Sequence, residues 1–293
     1  MIKIGVIGIG SIGTAVCNKL LKNGYGLCIY NRTAEKANSF RGFKNVNIAK
    51  TPSDVFLSCK TTILALTDDD ATRQVVLKNK FINKSSIKEK YIIDFSSISS
   101  EMAEQCFYHC AKSMVYYFDA PISGGVEGVT EGSLSIMVGG DELKFEHIKP
   151  ILEIFGKSVV FLGPSGIGAT AKQINQIIVA SYLIGIGEAF AFAKAMNINI
   201  SLLKKAIVDG YSQSRVLDAK FSNIKRDKYP LGGRVSLHLK DLRNAISTAN
   251  KNNIELVATK FFESQYRNAV DAGLSDVDHS AVHKLFLDKI KNK

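Results

Sequence analysis

The chain has 293 residues, enough for one large or two ordinary domains. Apolar residues make up 46% and charged residues 22%, which excludes a disordered chain and leaves ample material for a core. The net charge is +11, and basic residues outnumber acidic ones 17 to 10 between Ala195 and Lys293. These lysines are scattered, with no aromatic residues between them, so a solvated face is expected there and not a nucleic-acid surface.

The opening "MIKIGVIGIG" holds one Lys and a short apolar run cut at once by glycine. With no small-residue cleavage site it reads as a first strand, not a leader, and the cytoplasm is the expected compartment. In "VIGIGSIGTAV", Gly8, Gly10 and Gly13 have the G-x-G-x-x-G spacing, after a strand at Lys3–Ile7 and at the start of a helix over Ile12–Lys22. Glycines allow a tight turn and a close approach of backbone to a pyrophosphate, and the helix N-terminus adds amide donors and a positive dipole end. Gly8, Ile9, Gly10, Ser11, Ile12 and Gly13 are therefore candidate dinucleotide contacts. Glycines also end strands for purely structural reasons, but the strand–turn–helix context favours the dinucleotide.

The second strand, Leu27–Tyr30, runs into "YNRT". An NAD site usually carries an acidic residue about 20 residues past the glycines, on the ribose 2′-hydroxyl. Asn31 stands there uncharged, followed by Arg32 and Thr33. An amide, a guanidinium and a hydroxyl suit a 2′-phosphate, so NADP is expected, with NAD possible. An ordinary Asn-Arg turn is the structural alternative.

Further strands are expected at Thr62–Leu66, Tyr91–Phe95, Val115–Phe118, Ser135–Val138 and Val159–Leu162, with helices over Ala71–Lys78 and Glu101–Ala111. This alternation implies a parallel sheet with helices on both faces, mixed at its late edge, where full helical crossovers are lacking. After "GPSGIG" the strand signals stop, and helices are expected near 167–195, 201–209, 237–250, 256–271 and 278–290. The fold class is thus α/β: a Rossmann-type dinucleotide-binding domain over 1–163, then an all-helical domain over 164–293 that holds the substrate cleft and an oligomer interface.

The helix from Gly168 to Ala193 is mostly apolar, yet Lys172, Asn175 and Gln176 share one face near its start. Those polar residues, with Glu188, argue against a membrane span. A single snorkelling Lys would explain Lys172 but not all three residues. Five cysteines without a CxxC pair point to reduced thiols, with Cys106 and Cys110 as small buried residues. His279 and His283 have an i, i+4 spacing that can hold zinc. "DHS" reads better as a helix start, however, and no metal is expected. Asp68, Asp69 and Asp70 read as helix N-terminal charge.

Four more stretches carry a resemblance: "DAPISGG" at Asp119–Gly125, "EGSLSIMVGG" at Glu131–Gly140, "GIGATAKQINQ" at Gly166–Gln176 and "LHLKDLRNA" at Leu237–Ala245. With the glycine motif, in this order and at these spacings, they resemble the β-hydroxyacid dehydrogenases, the family of 3-hydroxyisobutyrate and 6-phosphogluconate dehydrogenases. "KQINQIIVA", "LDAK", "LHLKDL" and "DHSA" look most like its tartronate semialdehyde reductase branch.

The resemblance implies that Lys172 is the catalytic acid/base, with Asn175 and Gln176 as the amides that follow it. Lys240 would sit against nicotinamide and substrate, whereas the residues by themselves favour a surface helix Lys paired with Asp241 or its neighbours. Ser123, Gly124 and Gly125 would grip the substrate acid, since a hydroxyl and unobstructed amides cradle a carboxylate. Leu66, Thr67 and Ser97 would contact the cofactor, although Ser97 could equally cap the helix after it. Gly233 departs from the reductase branch, where a Phe commonly packs near the nicotinamide.

Reduction of a small carboxylate-bearing aldehyde is the implied reaction, with a homodimer or homotetramer expected. The positive field suits such an anion. An NAD-linked 3-hydroxyisobutyrate dehydrogenase, or a dinucleotide-binding sensor without turnover, are the alternatives. The helical region is too short for the C-terminal domain of a 6-phosphogluconate dehydrogenase.

Overall fold

The computed structural model describes residues 2–79, 89–230 and 232–291. The chain forms two compact units, Met1–Lys172 and Gln173–Lys293.

In the first unit, six strands pair in parallel in the order β3-β2-β1-β4-β5-β6. They are β1 (Lys3–Ile7), β2 (Gly26–Tyr30), β3 (Val46–Ile48), β4 (Thr61–Leu64), β5 (Lys90–Asp94) and β6 (Val115–Asp119). β7 (Ile122–Ser123), β8 (Leu134–Gly139) and β9 (Gly156–Gly163) extend the sheet. β8 runs antiparallel to β6 and β7 and parallel to β9, the mixed edge that the missing crossovers implied.

Helices α1 (Ser11–Lys22), α2 (Ala34–Ala37), α3 (Pro52–Ser58), α4 (Asp69–Thr72), α5 (Ser100–Ala111), α6 (Gly125–Glu131) and α7 (Glu142–Leu152) belong to this unit, and α8 (Ile167–Ala195) begins in it. Strand periodicity divides its core in two. Val6, Ile63, Ile93 and Phe118 join a cluster with Val16 and Leu20 of α1. Their strand neighbours Ile7, Leu64, Ile92 and Tyr117 join a second cluster with Val55 of α3 and Cys106 of α5. Strands covered on both faces read as continuous apolar runs, which is why β4 is buried throughout.

Several elements differ from the sequence expectations. β4 stops at Leu64 and β5 at Asp94, so Leu66, Thr67 and Ser97 lie on the loops beyond. The helix expected over Ala71–Lys78 is the single turn α4 followed by a π turn at Arg73–Leu77. The short edge strand β3 and the helix α3 were not expected. α3 starts at a capping box of Thr51 and Asp54 with Pro52 at its first position, a signal that "TPSD" does carry.

The second unit is helical: the rest of α8, then α9 (Ile200–Ile207), α10 (Arg215–Arg226), α11 (Val235–Lys251) and α12 (Val257–Asp271). A 3₁₀ turn at His279–His283 leads into α13 (Lys284–Lys291). α10 went unread in the sequence, although Ser214 caps it and Leu217, Phe221 and Ile224 have helical spacing. Leu183 and Ile184 of α8 pack with Val235, Leu239 and Leu242 of α11 and Tyr266 of α12. α8 is long and apolar enough to cross a membrane by length and composition. Its buried residues are instead the spine of this helical core.

Candidate active site

The turn after β1 is built by contacts that leave no room for side chains. Gly8 has φ +97° and donates its N–H to the Tyr30 carbonyl at 2.9 Å. A Cβ on Gly8 would lie 2.4 Å from the Ala65 carbonyl, and one on Gly13 would lie 1.8 Å from the Gly8 carbonyl. These two glycines thus let α1 start directly on β1. A Cβ on Gly10 would meet nothing within 4 Å. It heads α1 with no side-chain cap and no acidic residue in the first turn. A helix N-terminus whose amides no side chain satisfies, approached over a bare glycine, fits a pyrophosphate.

Asn31 stitches this turn together. Its Oδ1 accepts from the Ile9 N–H at 2.7 Å, and its Nδ2 donates to the Thr33 carbonyl at 2.8 Å. Arg32 and Thr33 stand exposed beside it. The amide is therefore committed largely to backbone, the structural alternative weighed above, and Arg32 is the charged group left at the strand end.

The loops after β4 and β5 are joined twice. The Leu66 N–H donates to Ser96 Oγ at 2.8 Å, and Ser99 donates its N–H to Asp69 at 2.8 Å. Asp68 caps α4 through the Ala71 N–H, as the acidic run suggested. The cap of α5, however, is Ser99 and not Ser97, because only Ser99 accepts from the first-turn amide of Met102. Ser97 is half-buried on the loop ahead of it. Ser96 in turn donates its N–H to Asp94 at 2.9 Å.

"DAPISGG" contains a tether that sequence reasoning missed. Asp119 is buried at the end of β6. Its carboxylate accepts from the Gly166 and Ala169 amides at 3.0 and 2.8 Å and from the Ser165 hydroxyl at 2.8 Å. It thereby caps α8 from outside the helix and sets the turn that leads into Lys172. Gly168 and Gly139 let the backbones meet: a Cβ on Gly168 would lie 2.4 Å from the Asp119 carbonyl, and one on Gly139 2.8 Å from the Gly168 nitrogen. Burial pushes the Asp119 carboxyl up, while these donors pull it down. Ser123 is half-buried at the end of β7, and Gly124 and Gly125 are exposed at the start of α6, with φ +132° and +65°. Such φ values suit glycine.

Lys172 is half-buried one turn past Ala169 on α8. In the second unit, Asn175 Nδ2 donates to Gln176 Oε1 at 3.0 Å, and Gln176 Nε2 donates to Asp241 Oδ2 at 2.8 Å. The other Asp241 oxygen pairs with Lys240 Nζ at 3.2 Å. One buried carboxylate thus takes both Gln176 and Lys240, with Asn175 joined through Gln176, and the Lys240–Asp241 pair is the one that the residues by themselves suggested.

His238 adds a second link to α8, lying 3.0 Å from the Gln176 carbonyl through Nε2 and 2.8 Å from His279 Nδ1 through its own Nδ1. The carbonyl only accepts, so His238 Nε2 carries a proton and one Nδ1 of the pair must be bare. A Cβ on Gly233 would lie 3.5 Å from the His279 ring, so that imidazole borders Gly233. His283 instead meets the Gly187 carbonyl at 2.8 Å. The two histidines thus serve separate hydrogen bonds, and Asp278 caps the turn that carries them, as "DHS" implied.

Two family models match the chain: the NAD-binding domain of 6-phosphogluconate dehydrogenase over residues 3–163, and the NAD-binding region of NADP-dependent 3-hydroxyisobutyrate dehydrogenase over 166–286. The 2-hydroxy-3-oxopropionate reductase of Escherichia coli K12 is 31% identical over 280 residues, covering 96% of this chain and 95% of that one. Glyoxylate/succinic semialdehyde reductase 1 of Arabidopsis thaliana is 26% identical, with 96% of each chain covered. The solved structure of 3-hydroxyisobutyrate dehydrogenase from Mycobacterium tuberculosis has the same fold, with a TM-score of 0.84 at 23% identity over 97% of this chain and 99% of that one. Sequence, fold and glycine turn agree, and the chain belongs to the β-hydroxyacid dehydrogenase family of nicotinamide-dependent oxidoreductases.

Proposed function

We propose that the protein is an NADP-dependent reductase of small aldehyde acids of the tartronate semialdehyde, succinic semialdehyde or glyoxylate type, acting reversibly with the hydroxy acid. The polar face of α8 carries this reading: Lys172 stands one turn before Gln176, whose amide is held by buried Asp241. The names of the Escherichia coli and Arabidopsis relatives support the substrate class.

The reduced nicotinamide, when bound, supplies hydride to the carbonyl carbon. Lys172 donates its Nζ proton to the carbonyl oxygen as negative charge develops there, and takes it back in the reverse direction. Asn175 and Gln176 orient the substrate, and the Lys240 ammonium adds positive charge. Ser123, with the amides of Gly124 and Gly125, binds the substrate carboxylate. The turn from Gly8 to Gly13, with Leu66, Thr67 and Ser97, holds the dinucleotide, and Arg32 takes the 2′-phosphate. In this reading residues 1–163 bind the cofactor and 164–293 supply the helical domain.

Following NADPH absorbance with a panel of semialdehyde acids tests the proposal. Consumption with at least one of them is expected. Oxidation of 3-hydroxyisobutyrate with NAD alone would transfer the assignment to that dehydrogenase. Dinucleotide binding without turnover of any substrate would make the protein a sensor.

A further inference from the structure

Asp94 closes β5 with its carboxyl fully buried. Among the described residues its hydrogen-bond partners are neutral. Oδ1 accepts from the Ser96 N–H at 2.9 Å, Oδ2 accepts from the Tyr117 hydroxyl at 2.7 Å, and the Ser96 hydroxyl bonds to it as well. Three donors suit a carboxylate, which only accepts. Burial nonetheless pushes this group up to about 6, so the fold carries its charge at a cost. A charge that weakens the fold and is held by a specific hydrogen-bond set marks a candidate for function.

The Ser96 hydroxyl shows where the charge acts. With its proton directed at Asp94, its lone pairs face the Leu66 N–H, 2.8 Å away. Leu66 follows Ala65, whose carbonyl lies against Gly8. The relay thus ends at the loop that flanks the glycine turn, beyond the adjacent C-terminal ends of β1, β4 and β5. In open parallel sheets this is where ligands bind.

We propose that Asp94 is a positioning residue: through the Ser96 hydroxyl it fixes the Leu66 backbone for the dinucleotide, and neutralising its carboxylate loosens that hold. A protonated carboxyl must donate one hydrogen bond where it formerly accepted. The hydroxyls bonded to this carboxyl are those of Ser96 and Tyr117, so one of the two has to turn away. The groups facing Asp94 are Tyr117 and Asp119 on β6 and Cys106 on α5, while β4 presents the apolar Leu64 in register with it. Burial pushes Tyr117 and Cys106 up, so both stay neutral in mild acid.

The inference rests on the dinucleotide reading, and calorimetric titration with NADP⁺ between pH 5 and pH 8 tests both. Asp94→Asn should bind about tenfold more weakly at pH 8, the equivalent of one charge-assisted hydrogen bond. Its ratio to the unmodified protein should fall toward one by pH 5. That ratio cancels the titration of the ligand's own phosphate. Ser96→Ala, which leaves Asp94 charged, should show a similar loss at pH 8. Tyr117→Phe, which spares the Ser96 link, should stay within about twofold. A ratio of one throughout, or a tenfold ratio independent of pH, overturns the proposal while leaving the cofactor assignment standing. Failure of the unmodified protein to bind NADP⁺ or NAD⁺ overturns both.

Discussion

Replacing Lys220 with Met should destabilise the helical unit by about 3 kcal/mol. Lys220 Nζ lies 2.7 Å from Asp278 Oδ2, with the Asp278 side chain 2% exposed and that of Lys220 21% exposed. The other carboxylate oxygen is taken by the N–H and hydroxyl of Ser280. Without Lys220, Oδ2 is a buried charge with no counter-ion among the described residues. Removing one partner of a buried pair costs about 3–5 kcal/mol, and the partial exposure of Lys220 places this case at the lower end. For a unit of this size that is a fall in Tm of roughly 10 °C. Asp278→Asn should cost less, about 1 kcal/mol, because Lys220 can reach water and the amide oxygen still accepts from Ser280. Gly232→Ala should also disrupt the pair, since a Cβ there would lie 2.2 Å from Asp278 Oδ2. Urea unfolding followed by circular dichroism measures all three. A loss below about 1 kcal/mol for Lys220→Met, or a larger loss for Asp278→Asn, would refute this account of "LDAK" and "DHSA" as two halves of one ion pair.

Lys172→Ala should lower kcat by about 10²–10⁴-fold with NADPH affinity nearly intact, and Lys172→Arg should not rescue it; retention of more than about a tenth of kcat would assign the proton to another group. NADPH should be preferred over NADH in kcat/KM, with Arg32→Ala eroding the preference through KM, and equal efficiency in the unmodified protein would reject that role. Asp94 has a folded value of about 6 against 3.8 for the free group, so its contribution to stability is full below pH 3.8 and is lost as pH rises through 6. Relative to Asp94→Asn, the protein should therefore lose about 3 kcal/mol between pH 3.5 and pH 7.5, and a constant difference in chemical unfolding would contradict this. Ile174, Ile178 and Tyr182 form an exposed apolar row along α8, so a homodimer or homotetramer is expected, and a light-scattering mass near 32 kDa at micromolar concentration would reject it.

Local pattern determined the outline of the architecture, though not β3, α3 or α10. The alternation of strands and helices in the first half, the glycine spacing beside β1 and the length of α8 depend on neighbours in sequence, and each reappears in the fold. So does the polar face of Lys172, Asn175 and Gln176, because a helix converts spacing directly into direction. Tertiary structure decided which motif residues are tied up in the scaffold. Asp119 reaches a helix start about 47 residues later, Asp241 reaches Gln176 across 65 positions, and Lys220 finds Asp278 across 58. Asn31, read as a cofactor clamp, spends its amide on Ile9 and Thr33. A carboxylate or amide has the same local signature whether it faces a ligand or a distant backbone. Its partner is chosen only when the sheet and helices bring remote segments within hydrogen-bond reach, a choice no window of sequence contains.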